Sequence, residues 1–188
     1  MNKYHANINI PVPFIPYEAV YDKPLQLTVN VKLLNKEFTD WLLSLGLTTR
    51  MGRFFHSGPF NTYPPHLDYH NTNVSCTKIN LIFDSSDSIM NWYEPIPGYN
   101  GDFHRNIIND EPILYHNKDK CRVIYSTPVN ANCLVNGSII HDLQNGPNNG
   151  QFRKCYSLFL IDATTSKRIT WDEALTIFKP YIINNNGE

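Results

Sequence analysis

Residues 121–161 read CRVIYSTPVNANCLVNGSIIHDLQNGPNNGQFRKCYSLFLI, and this stretch decides the fold class. Short apolar-rich runs (Arg122–Ser126, Cys133–Val135, Ser138–His141 and Phe152–Ile161) are separated by Asn136-Gly137 and by the Gly/Pro/Asn cluster at 145–150. Asn-Gly and Gly-Pro pairs supply the backbone conformations that tight turns need. The β-branched and aromatic residues between them suit a pleated surface. Runs this short, bounded this way, predict strands.

The same grammar extends upstream. Arg53–Phe55, Lys78–Phe83, Met90–Tyr93 and Ile113–Tyr115 alternate with turn signals at 84–87, Pro97-Gly98 and Asn100-Gly101. Many short strands at this spacing predict a sandwich or barrel rather than alternating βα units. Residues 25–31, LQLTVNV, alternate as a half-buried strand. Helices are expected only at the ends of this region. One runs from an Asn35 cap to Leu45, with Phe38, Trp41, Leu42 and Leu45 on one face and Gly46 as its stop. The other opens on the capping-box pair Thr170 and Glu173 and stops near Lys179, before Pro180. Four prolines at 11, 13, 16 and 24 exclude a helix from residues 1–24 and suggest an extended arm. The Asn-rich tail, 184–188, is expected to fray. No repeat or linker interrupts residues 1–188, so one domain is expected.

The chain has 188 residues, 41% of them hydrophobic, with 16 Lys and Arg against 17 Asp and Glu. That length can bury one substantial core. A near-neutral balance without a basic run argues against a nucleic-acid partner. No apolar run reaches the ~18–20 residues that span a bilayer, and the N-terminal residues do not have signal-peptide order. A cytoplasmic protein without a membrane partner is therefore expected. Cys76, Cys121, Cys133 and Cys155 are scattered with no CxxC pair, so reduced thiols used as small apolar residues are expected. Trp41, Trp92 and Trp171 read as core, and His104 and His116 as solvated side chains in a turn-rich insert. The insert from Met90 to Lys120 also carries Trp92, Tyr93, Tyr99, Phe103 and Tyr115, which would suit either an aromatic lip over a site or ordinary loop packing.

The chemistry concentrates in Tyr63-Pro-Pro-His-Leu-Asp-Tyr-His70. Residues i and i+2 of an extended chain share a face, so His66 and Asp68 converge, and Pro64 and Pro65 hold the approach extended. His141 is a candidate third ligand, returned to the same sheet by an Asn136-Gly137 hairpin. Two imidazoles and one carboxylate leave three metal positions open, the arrangement of non-haem Fe(II) oxygenases. Arg153 shares a strand face with Cys155 and Ser157. An inward guanidinium needs an anion, and the distal carboxylate of a dicarboxylic acid gives it a two-point contact. Plainer alternatives are a surface His–Asp hydrogen bond, a turn histidine at 141, and a structural ion pair at Arg153. His70 is a rival ligand.

The ordered set His66-x-Asp68, His141, Arg153, within "PPHLDYHNTNVSCTKINLIFD", "NWY", "NCLVNGSIIHDLQN" and "FRKCYSLFL", resembles the 2-oxoglutarate/Fe(II)-dependent oxygenase superfamily over residues 60–160. The text is similar to the short oxygenase-like proteins of bacteriophages and marine microbes, of the aspartyl/asparaginyl or prolyl hydroxylase kind. For a viral chain the cytoplasm would be the host's.

The resemblance implies a mainly β, double-stranded β-helix fold, a cupin-like jelly-roll barrel with flanking N- and C-terminal helices. It implies His66, Asp68 and His141 as Fe(II) ligands and Arg153 as the anchor of the 2-oxoglutarate cosubstrate, with O2 as oxidant. Asn80 and Tyr63 are further polar contacts in the barrel mouth. Ser157 lies four residues past Arg153, where many members have Ser at the second, and so sits ~6.6 Å further along the strand. The aspartyl/asparaginyl hydroxylases lack a carboxylate ligand, so Asp68 favours the three-ligand branch. The implied activity is a dioxygenase hydroxylating a protein side chain or a small molecule. The rival is a jelly-roll binding or virion-associated module without turnover. A zinc hydrolase on the same ligands would need one open position and leave Arg153 without a reason.

Overall fold

The computed structural model describes residues 2–14, 25–28, 34–50, 52–68, 75–83, 87–105, 112–147 and 150–183. Most of the chain is strand: β1 (His5–Asn7), β2 (Leu25–Thr28), β3 (Leu47–Thr48), β4 (Gly52–Ser57), β5 (Thr62–Leu67), β6 (Thr77–Ile82), β7 (Ile89–Pro95), β8 (Asp102–Arg105), β9 (Pro112–Tyr115), β10 (Cys121–Pro128), β11 (Cys133–Asn136), β12 (His141–Gln144), β13 (Arg153–Phe159) and β14 (Ile161–Asp162). Helix α1 (Lys36–Ser44) lies between β2 and β3, and α2 (Trp171–Ile177) follows β14.

Two six-stranded antiparallel sheets result, ordered β1-β11-β6-β13-β4-β2 and β10-β7-β12-β5-β9-β8, with β14-β3 as a separate pair. The mainly β expectation holds. The closed barrel does not, because among the described residues no ladder joins one large sheet to the other.

Period two sorts β13 into two faces. Tyr156 and Leu158 point outward and pack with Phe54, Ile79 and Leu81 beneath Phe38, Trp41 and Leu42 of α1 and Ala174, Leu175 and Phe178. Both helices are amphipathic and cover this sheet. The capping box of α2 is present, with Thr170 and Glu173 bonding each other's backbone N–H groups. Asn35, expected to cap α1, does not do so with its side chain; its Nδ2 donates to the Pro13 carbonyl at 2.9 Å. A second cluster, Met90, Trp92, Val129, Cys133, Val135 and Leu143, lies between the sheets. Trp41, Trp92 and Trp171 are all buried, as expected, and the four cysteines are free thiols.

Several expectations need correction. Residues 5–7 of the expected arm form strand β1, paired with β11; residues 15–24 and the tail 184–188 lie outside the described residues. Trp92 and Tyr93 form no lip, because both are buried within β7. Asp102–Arg105, not expected as a strand, pairs with Pro112–Tyr115, which contains the expected strand Ile113–Tyr115, and the two extend the second sheet beyond β5. His116 is buried against the Tyr99 ring, at 5.7 Å between centroids, and is not solvated. His70 and the side chains of Phe103 and His104 lie outside the described residues. No helix among the described residues is long and apolar enough to cross a membrane.

Strand β1 carries a testable cost. His5 is buried beside the Trp92 ring, and its Nε2 has no hydrogen-bond partner. Burial alone pulls its pKa down to about 4. Because the folded pKa lies below the unfolded value of about 6.5, the unfolded chain binds the extra proton as pH falls between them. Stability contributed by neutral His5 is therefore complete above that window and lost on acidification through it, on the order of 1 kcal/mol per pH unit. Urea unfolding of the metal-free protein at pH 7 and pH 5 should show a smaller loss of stability in His5→Leu than in the wild type.

Candidate metal centre

Strand β5 carries two prolines in a sheet interior, where a missing N–H breaks the ladder. The structure absorbs them in a bulge: β12 pairs His141 with His66 and Leu143 with Tyr63, so Pro64 and Pro65 together oppose Asp142. Tyr63 and His66 are three apart, and a regular strand would point them to opposite faces. With one residue extra, both face the space between the sheets. Asp68, just past β5, is tied down by its N–H, which donates to the Gly137 carbonyl at 3.3 Å.

His141 arrives differently from the expectation. Asn136-Gly137 is not a hairpin within one sheet; β11 belongs to the first sheet and β12 to the second, so the turn crosses between them. Strand β12 accordingly begins at His141 and not at Ser138. The intervening polar groups build the crossing: Gly137 N–H donates to the Cys76 carbonyl at 2.7 Å, and the Ser138 hydroxyl accepts from Cys76 N–H at 2.8 Å.

His66, Asp68 and His141 meet, with one ligand atom from each lying within 4.8 Å of the others. Asp68 Oδ2 is 3.4 Å from His141 Nε2, and Asp68 Oδ1 is 3.7 Å from His66 Nε2. His66 Nδ1 donates to the Pro64 carbonyl and His141 Nδ1 to the Ile139 carbonyl, both at 2.8 Å. A carbonyl only accepts, so each ring carries its proton on Nδ1 and turns an Nε2 lone pair toward Asp68. Burial, reinforced by the facing His141, pulls the pKa of His66 down to about 4; burial likewise lowers that of His141. Both are neutral imidazoles near pH 7.

Burial opposes ionisation of Asp68, but Lys78, then His141 and His66, hold it well below the usual carboxylate range. Its Oδ2 is buried without a hydrogen-bond partner. Two neutral imidazole nitrogens, an ionised carboxylate and an unsatisfied buried oxygen fit a divalent metal ion.

The centre opens into a cavity of about 880 Å³, mouth included. All seven residues singled out in the sequence line it: His66, Asp68 and His141, with Arg153, Asn80, Tyr63 and Ser157. The Arg153 side chain is 2% exposed, and its Nε has no hydrogen-bond partner. It bonds the Cys155 thiol, whose pKa burial raises despite that contact. Tyr63 Oη and Ser57 Oγ are 3.0 Å apart beside it. Ser157 lies in register with Asn80 on β6 and with Arg53 on β4.

Two lining residues escaped the sequence reading. Lys78 is buried and ion-paired with Asp68, its ammonium 5.0 Å from the centre of the Phe159 ring. Arg53 lines the cavity from β4. Period two was the available signal: Lys78 shares a strand face with Asn80, and Arg53 with Phe55.

Gly137 has no room for a side chain. A Cβ there would overlap Asp68 Oδ2 and come within 3.1 Å of the Cys76 carbonyl oxygen. The carboxylate, at the end of a rotatable side chain, would have to move. Gly137→Ala should therefore fold but bind a divalent metal ion about 10- to 100-fold more weakly, as when ligand-orienting groups are lost. Anaerobic equilibrium dialysis against Fe(II) reads this directly.

No protein-family model matches the chain, and no curated protein matches it. Among solved structures it is similar to AviO1 from Streptomyces viridochromogenes Tue57, at a TM-score of 0.38 and 11% identity, over 84% of this chain and 72% of that one.

Proposed function

We propose that this chain is a 2-oxoglutarate- and Fe(II)-dependent dioxygenase of jelly-roll architecture, hydroxylating a protein side chain or a small molecule. One observation carries the reading: the His66, Asp68 and His141 donors share a cavity with the buried, incompletely bonded Arg153 guanidinium. Fe(II) with 2-oxoglutarate supplies the oxidation, in which one oxygen atom of O2 enters the product hydroxyl and the other enters succinate as CO2 is lost.

The chain's own residues do the rest. His66 and His141 offer lone pairs fixed by their Nδ1–H bonds to backbone carbonyls. Asp68 supplies the negative charge, and Lys78 balances it while no metal is present. Arg153 takes the distal carboxylate of the cosubstrate in a two-point contact, with the Tyr63 and Ser57 hydroxyls beside it. Met90, Leu143, Val135 and Phe55 keep bulk water from the cavity walls.

Anaerobic titration with Fe(II) and then 2-oxoglutarate tests the reading. A weak visible charge-transfer band, followed by succinate release on admission of air, is the expected result. Folded protein that gives neither would reject it.

The Lys78–Asp68 pair favours a second reading, a jelly-roll binding module without turnover, because the ammonium already neutralises the carboxylate that a metal would need. Fe(II) binding by the wild type together with succinate release decides against it.

A further inference from the structure

Lys78 reaches the metal centre from the opposite sheet. Its ammonium is ion-paired with Asp68 Oδ1, and both side chains are largely enclosed. The same oxygen lies 3.7 Å from His66 Nε2, while Oδ2 lies 3.4 Å from His141 Nε2. The ammonium is also close enough for its charge to act on both imidazoles. An ammonium has three donors and no lone pair, so it cannot join the ligand set. A divalent ion held by the two imidazoles and the carboxylate would be pressed against a like charge on the same oxygen. Metal entry and the Lys78–Asp68 contact therefore exclude each other.

The backbone keeps the displaced ammonium near the centre. Lys78 is rooted inside β6, in register with Val135 on β11 and Phe159 on β13, and all three line the cavity. The Phe159 ring centre is 5.0 Å from the ammonium, but the Arg168 guanidinium is 4.6 Å from the same ring. That ring already serves a second cation and offers no full counter-charge. An ammonium freed in these surroundings calls for an anion. Arg153 projects from the same face of the first sheet, six residues along β13 from Phe159. A dicarboxylate anchored at Arg153 therefore extends toward the end of the cavity where Lys78 stands.

Resting on the oxygenase reading, we infer that Lys78 is a displaceable counter-ion. Its ammonium holds Asp68 in the empty site and passes, when the metal binds, to the cosubstrate carboxylate nearest the metal centre. Lys78 thus opposes binding of the metal alone and favours metal and cosubstrate together, so the two load cooperatively through one side chain.

Calorimetric titration with Mn(II), a divalent ion that carboxylates bind, tests this without turnover. Mn(II) alone should bind Lys78→Met about tenfold more tightly than wild type, because no ammonium has to be displaced. The Mn(II)-loaded variant should then bind 2-oxoglutarate about tenfold more weakly, because the receiving cation is gone. Structural damage would weaken both affinities, so changes of opposite sign identify the role. If Lys78→Met does not fold without metal, Lys78→Gln, whose amide can still donate to Asp68, carries the same comparison.

Mn(II) affinity in the variant equal to or below that of wild type overturns the inference, as does an unchanged 2-oxoglutarate affinity in the loaded variant. Mn(II) binding by the variant but not by the wild type also overturns it, by making Lys78 a fixed plug. If loaded wild-type protein binds no 2-oxoglutarate, the oxygenase reading falls separately. The Mn(II) comparison then decides alone, tighter binding in Lys78→Met upholding displacement and equal binding rejecting it.

Discussion

Asp68→Ala is expected to abolish Fe(II) binding and to destabilise the metal-free protein by about 3–5 kcal/mol, because it leaves a buried ammonium without its counter-charge. Asp68 and Lys78 side chains are 9% and 10% exposed, so water cannot replace the lost partner. The two consequences separate in the double variant. Adding Lys78→Met should recover most of the stability in urea unfolding, since an apolar side chain of similar length fills the space beside Phe159. It should recover none of the metal affinity. A double variant that regained Fe(II) would remove Asp68 from the ligand set. One that stayed as unstable as Asp68→Ala would show that the ion pair is not the source of the cost.

Arg153→Gln should have the opposite profile. Metal affinity is expected to stay near wild type, while 2-oxoglutarate binding weakens at least about 30-fold through loss of a buried charged contact. Stability separates this role from a structural one. A guanidinium that is 2% exposed, with an unbonded Nε, is a burden on the ligand-free fold, so the variant should melt at or above the wild-type temperature. A structural ion-pair arginine would give a marked drop instead. Titration of the Fe(II) protein with 2-oxoglutarate, paired with a thermal melt without ligands, checks both halves.

What could be read from sequence followed from local periodicity. His66-x-Asp68 shows its shared face directly, and Arg153, Cys155 and Ser157 do so over a longer strand. The helices were legible because Phe38, Trp41 and Leu42 recur at helical spacing and because Thr170 and Glu173 mark a start.

What was misread depended on partners remote in sequence. Asn136-Gly137 has the chemistry of a hairpin, but turn residues specify a local backbone path and not the sheet that receives the next strand. Cys76, sixty residues upstream by its bonds to Gly137 and Ser138, helps to fix the crossing. The bulge at Pro64 and Pro65 shows only against the register of β12. The strand Asp102–Arg105 was missed because Pro97-Gly98 and Asn100-Gly101 give the stretch before it the look of turns, while its pairing with the expected strand at Ile113–Tyr115 depends on register. Lys78 was passed over because a lysine in a strand usually reaches solvent, and its ion pair lies across the gap between sheets.

The crossing at Gly137 leaves the proposed centre in two halves of different origin. His66, Asp68 and His141 all belong to the second sheet or its margin, whereas Arg53, Lys78, Asn80, Arg153 and Ser157 are carried by the first. Metal capture therefore draws on one layer, and grip on an organic anion depends on how closely the other layer faces it. Small sliding of the layers would retune ligand selectivity while sparing the coordination sphere, so changes at the α1 and α2 packing face, remote from any ligand, have a physical route to altering what the cavity accepts.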